Sequence, residues 1–83
     1  MDYIIAVYRS RNVSIQAYNY LIGRGVTCAL VSTPRSVGVG CGLSVKFNKS
    51  ALPAVRGVLS SGETFVGFFL VKNTYSGNTV VRI

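Results

Sequence analysis

Two segments with helical periodicity, each framed by β-branched and aromatic runs, restrict this chain more than any other feature. Tyr3 to Arg9 is a near-continuous apolar run of the kind a central strand carries. Ser10-Arg11-Asn12 follows with helix-start chemistry, Ser10 or Asn12 serving as cap. Ile15, Tyr18, Leu21 and Ile22 then recur on one helical face, and Gly23 and Gly25 mark its end. Val26 to Ser32 reads as a second strand, Val26, Cys28 and Leu30 alternating with Thr27, Ala29 and Val31. Leu43 to Phe47 is a third, with Leu43, Val45 and Phe47 on one face. Ser50 is placed to cap a second helix that buries Leu52, Val55, Val58 and Leu59 and ends at Gly62. Pro53 falls in its first turn, where a missing N–H costs little. Thr64 to Lys72 is a fourth strand, and after a turn over residues 73–78, Thr79 to Ile83 returns as a short fifth.

The order predicts an α+β fold, a ferredoxin-like βαββαβ sandwich. Right-handed crossovers favour an antiparallel sheet ordered 4-1-3-2, with both helices on one face. At 83 residues the chain makes one domain with one small core. Residues 1–72 are expected to form that domain, and 73–83 a C-terminal extension of turn and edge strand. Apolar stretches fall short of the roughly 20 residues a membrane span needs. The opening segment lacks the length and flanks of a signal peptide, so a soluble cytoplasmic protein with no membrane partner is expected.

Composition removes several chemistries. The chain has no histidine, and Asp2 and Glu63 are its only carboxylates. Ser-His and Cys-His nucleophile pairs therefore have no base, and paired-carboxylate hydrolysis has almost no material. An enzyme acting alone is not expected. Two cysteines without histidine make neither a zinc site nor a disulfide framework, although a single Cys28–Cys41 bridge can be drawn. Cys28 is in phase with Val26 and Leu30 and reads as core. Nine Lys/Arg against two acids give a net charge of +7, scattered rather than clustered. Such a surface suits an acidic protein, RNA or a small anion.

The segment most unlike simple connection is Thr33-Pro34-Arg35-Ser36-Val37-Gly38-Val39-Gly40-Cys41-Gly42. Links between paired strands usually need about 2 to 5 residues. This one is longer and holds a thiol between glycines and an arginine. The expected topology brings Cys41 to Arg9-Ser10-Arg11 and the start of the first helix, whose N–H groups carry partial positive charge. With Arg9, Arg11 and Arg35 nearby, these surroundings are expected to favour a thiolate. The Gly-x-Gly-x-Gly string also suits a backbone anion nest. It precedes a strand, so it is no dinucleotide fingerprint.

Thr33-Pro34-Arg35, then Cys41-Gly42-Leu43 and Val45-Lys46-Phe47, resemble the centre of the selenium/sulfur-carrier-like family. The likeness runs over about residues 3–72. It implies a non-enzymatic carrier with no cofactor beyond a covalent persulfide or perselenide on Cys41. Thr33, Pro34, Arg35, Cys41 and Gly42 match the family centre residue by residue. Gly40, Arg9, Ser10 and Arg11 are supporting candidates from the topology. The partners implied are sulfur or selenium donor and acceptor proteins. Exposed sheet edges also make a homodimer a candidate. The alternative is a non-catalytic basic module docking acidic protein or RNA. Leu43 to Phe47 lacks the Arg/Lys-Gly-aromatic pattern of RNA-recognition modules, leaving Tyr3 and Phe47 to stack on bases.

Overall fold

The computed structural model describes residues 2–83. In chain order it contains β1 (Tyr3–Tyr8), α1 (Arg11–Gly23), β2 (Cys28–Ser32), β3 (Leu43–Phe47), α2 (Leu52–Leu59), β4 (Phe65–Thr74) and β5 (Gly77–Arg82). Single 3-10 turns occupy Arg35–Val37 and Lys49–Ala51. One antiparallel sheet takes the strands in the order β2-β3-β1-β4-β5. The neighbours β4-β1, β1-β3 and β3-β2 are those expected, and β5 is added outside β4.

β1 lies in the middle of the sheet because its sequence is apolar on both faces. Ile4, Ala6 and Tyr8 point to the helices, Ile5 and Val7 to the other side, and none is more than 2% exposed. On the helix side Leu21 of α1 and Val55 and Leu59 of α2 close over Ile4, Ala6, Tyr8, Val45, Phe47 and Phe68. Both helices therefore cover the same face. The other face is a smaller apolar sheet surface of Ile5, Val7, Phe69 and Val71. Cations lie flat across its large rings. The Lys46 ammonium sits 4.3 Å from the Tyr3 ring centre, and the Arg82 guanidinium 5.9 Å from that of Phe69. Arg82 also donates to the Val66 carbonyl across 2.8 Å.

Several local expectations are corrected. Ser10, not Asn12, caps α1: its Oγ accepts from the Val13 N–H at 3.4 Å. The buried face of α1 is Ser14 and Leu21, flanked by Val13, Ala17 and Tyr18, while Ile22 is exposed. Bulky side chains mark the helical period, but the sheet approaches α1 closely at Ser14 and demands a small residue there. Asn48 rather than Ser50 opens the second helical segment, its Oδ1 accepting the Ser50 N–H at 3.2 Å. Val58 is exposed, so α2 buries only Val55 and Leu59 fully. The final hairpin turns tightly at Tyr75-Ser76, and ladder pairing runs out to Thr74 opposite Gly77. Its tip residues are polar on both faces, which hides the strands from hydrophobic alternation.

No Cys28–Cys41 bridge forms; both thiols are free. Cys28 pairs with Phe47 at one end of β3, and Cys41 precedes Leu43 at the other. The five residues of β3 alone span about 13 Å, against roughly 7 Å as the limit for a disulfide.

Tyr8 ties β1 to α2: its buried hydroxyl donates to the Leu59 carbonyl across 2.8 Å. Burial pushes its phenol up to about 12 from 10.0. A group raised on folding contributes its stability in full below its unfolded value and loses it as pH climbs through the folded one. Tyr8→Phe leaves the Leu59 carbonyl without this donor, at a cost of about 1–3 kcal/mol in urea unfolding near neutral pH. The deficit relative to wild type should shrink as both proteins are taken from pH 10.0 to about 12, because only wild type loses the phenol's contribution.

Candidate functional site

Residues 33–42 carry the chain from one side of the sheet round its end to the other. At the neck, the Thr33 N–H donates to the Gly42 carbonyl at 2.9 Å, and Thr33 Oγ1 and Ser44 Oγ share a 2.6 Å hydrogen bond. Val37, in the 3-10 turn, packs against the Ile5/Val7 side of the sheet. The chain then crosses the end of β1 at Gly40. A Cβ built there would lie 2.8 Å from Val7 Cγ1 and 3.1 Å from the Tyr8 carbonyl oxygen, at φ +107°. Only glycine fits both the space and the backbone. One residue later the Cys41 N–H donates to that same Tyr8 carbonyl at 2.9 Å. This fixes the cysteine against the end of the central strand.

From there the Cys41 side chain turns toward α1. The residue is partly exposed, and its Sγ lies 3.6 Å from Ser14 Oγ and donates to the Leu43 carbonyl at 3.4 Å. Ser14 is fully buried; its Oγ donates to Leu43 O at 2.8 Å and also lies 3.3 Å from Ser10 O. The sulfur thus rests on the first turn of α1, the end of a helix that favours negative charge. Nothing in the residue pattern marks Ser14 in advance. Its one signal is its place four residues after the capping Ser10, one turn into the helix.

The site candidates divide into two groups. Thr33, Pro34, Arg35, Gly40 and Gly42, with Gly38 and Val39, line one shallow hollow of about 160 Å³. Cys41 and Ser10 belong with Ser14 on the α1 side of the loop. Arg9, Arg11 and Arg35 are exposed. Among the described residues, the hydrogen-bond partners of Sγ are Ser14 and Leu43, and none is a guanidinium. The Arg9 backbone N–H holds the β4 end through Thr64 O at 2.8 Å. Cys28 packs against the helix-side core, and burial pushes its thiol up. A larger cavity of about 490 Å³ opens at the far end of the sheet, where Tyr3, Cys28 and Lys46 are among its walls. No three His, Cys, Asp or Glu side chains among the described residues are grouped to hold a metal. No described helix is long and apolar enough to cross a membrane. Phe47 is 2% exposed under the helices, so it offers no face to a base.

The fold and the loop define a small α+β protein with two free, partly exposed cysteines, of which Cys41 stands in a loop, flanked by glycines, where the central strand meets the first helix. The chain belongs to the family described as Putative Se/S carrier protein-like, whose model matches residues 2–66. That match takes in β1 through the start of β4, including the entire Cys41 loop, and leaves β5 outside. No curated protein and no solved structure matches the chain.

Gly40→Ala must move either the Val7 side chain or the loop, and it forces a non-glycine residue to a positive φ. The expected cost is about 1–3 kcal/mol of stability. The alkylation rate of Cys41, followed by intact mass in folded protein, should change as well. An unchanged stability and an unchanged rate would show that the close approach does not hold the loop.

Proposed function

We propose that this protein carries a sulfur or selenium atom on Cys41, as a persulfide or perselenide, between a donor and an acceptor protein. The observation that carries this reading is the placement of the Cys41 Sγ. Cys41 is partly exposed, its Sγ is set on the first turn of α1, and its backbone N–H is bonded to the end of β1. Family membership supports it, because a carrier needs an accessible thiol and little else.

The transfer balances without an added oxidant. The Cys41 thiolate attacks the outer sulfur of a donor persulfide, the donor S–S bond breaks, and the donor leaves as a thiolate. The electron pair of the broken bond departs with the donor sulfur. Cys41 gains one S–S bond about 2 Å long. With no histidine in the chain, the thiol proton goes to water or to the leaving thiolate. Delivery repeats the same exchange with the acceptor as nucleophile. A free thiol of this kind suits a reducing compartment, and we place the protein in the cytoplasm. We also read β4-β1-β3-β2 with its two helices as a ferredoxin-like unit to which β5 is added. The hollow beside Arg35 lies on the opposite flank of the same loop, where an anionic donor or acceptor surface can dock without covering Sγ.

Incubation with a cysteine desulfurase and cysteine, or with the same enzyme and selenocysteine, should add one sulfur or selenium atom by intact mass through exchange with the enzyme-bound persulfide or perselenide, and reductant should remove it. Cys28→Ser should load like wild type and Cys41→Ser should not load. Equal loading of the Cys41→Ser variant and wild type would end the carrier reading.

A further inference from the structure

We propose that Ser14 is the positioning residue of this site, its hydroxyl serving the Leu43 carbonyl while Cys41 is a thiol and turning to Sγ when the sulfur is anionic. This rests on Cys41 being the working sulfur. It follows from counting hydrogens. Ser14 Oγ has one, and three acceptors surround it: Leu43 O at 2.8 Å, Ser10 O at 3.3 Å and Sγ at 3.6 Å. In the thiol state Leu43 O accepts both from Ser14 and from the S–H at 3.4 Å, using its two lone pairs.

Loss of the thiol proton changes that arrangement. Leu43 O then faces a negative sulfur with no hydrogen between them. Of the two side-chain or carbonyl groups that touch Sγ, only Ser14 owns a proton to give. Turning the O–H about the Cβ–Oγ bond delivers it without moving a heavy atom. The position of Oγ is held by burial and by the backbone of Ser14, whose N–H donates to the Ser10 carbonyl at 3.1 Å. The charged groups on the adjoining elements are Arg9, Arg11 and Arg35, all exposed, and Lys46 toward the other end of β3, which lies over the Tyr3 ring; the Tyr8 phenol is committed to Leu59.

The test uses the full chain carrying Cys28→Ser, so that Cys41 is the only thiol. Alkylation by iodoacetamide is followed by intact mass from about pH 5 to about pH 10, spanning the ordinary thiol range. Ser14→Ala should move the midpoint of the rate profile up by about one pH unit and slow the neutral-pH reaction about tenfold. Ser14→Thr, which keeps the hydroxyl, should stay close to the parent. A Ser14→Ala profile that superimposes on the parent overturns the role. If Ser14→Ala fails to fold, the near-isosteric pair Ser14→Thr and Ser14→Val asks the same question: separated profiles support the role and coincident ones overturn it. The assay needs no sulfur donor, so it is independent of the carrier reading. A displaced profile without sulfur loading removes the carrier function alone, and loading with coincident profiles removes the Ser14 role alone.

Discussion

Burial of β1 on both of its faces is the constraint on which the other parts depend. A strand apolar at every position from Ile4 to Tyr8 cannot sit at an edge or face water, so β3 and β4 must flank it and the helices must cover one side. Its C-terminal end then becomes the meeting point of four separate segments. The Tyr8 carbonyl takes the Cys41 N–H, the Tyr8 hydroxyl reaches α2, Arg9 holds the approach to β4, and Ser10 caps α1. The thiol is therefore anchored to the strand that is buried on both faces, although it belongs to a loop. Loops that act on a partner are best fixed in this way, because position is set by the scaffold and only the tip needs freedom.

How much of this was legible in the residues depends on what each element had to say through its side chains. β3 declared itself, since Leu43, Val45 and Phe47 alternate with Ser44 and Lys46, although Ser44 is buried as well and Leu43 only partly. The approach of Cys41 to the start of α1 was legible as topology: strand order plus a loop of known ends leaves few other places for it. The face of α1 was misread, because Ile15 and Ile22 are larger than Ser14 and Ala17, yet a close helix–sheet contact selects small residues. The β4-β5 hairpin was read short for the opposite reason. Its outer half has no buried face, so hydrogen bonds of the ladder and of Thr74 hold it and no apolar alternation records it.

The site shows the same limit. Arginines and glycines near a cysteine are visible in one dimension, whereas a buried serine one helical turn beyond a cap looks like any other helical serine. The guanidinium groups expected around the sulfur are exposed, and the contacts Sγ makes are to a hydroxyl and a carbonyl. Charge counting found the neighbourhood but not the partner. Long arginine side chains at a surface gain more from hydration than from a neutral thiol, and a few ångströms of freedom lets them stay there.

The two cysteines make a final comparison within one core. Cys28 lies in β2 opposite Phe47, its sulfur 3.8 Å from the Tyr18 carbonyl, and burial opposes its ionisation. Its hydrogen-bond neighbour is that carbonyl. Cys41 lies near the other end of β3, partly exposed as Cys28 is, with the Leu43 carbonyl and the Ser14 hydroxyl both within reach of its sulfur. The length of β3 thus separates a sulfur packed in a strand against the core from one that stands in a loop at the head of α1, and only the second meets a side-chain hydroxyl among the contacts of the described residues.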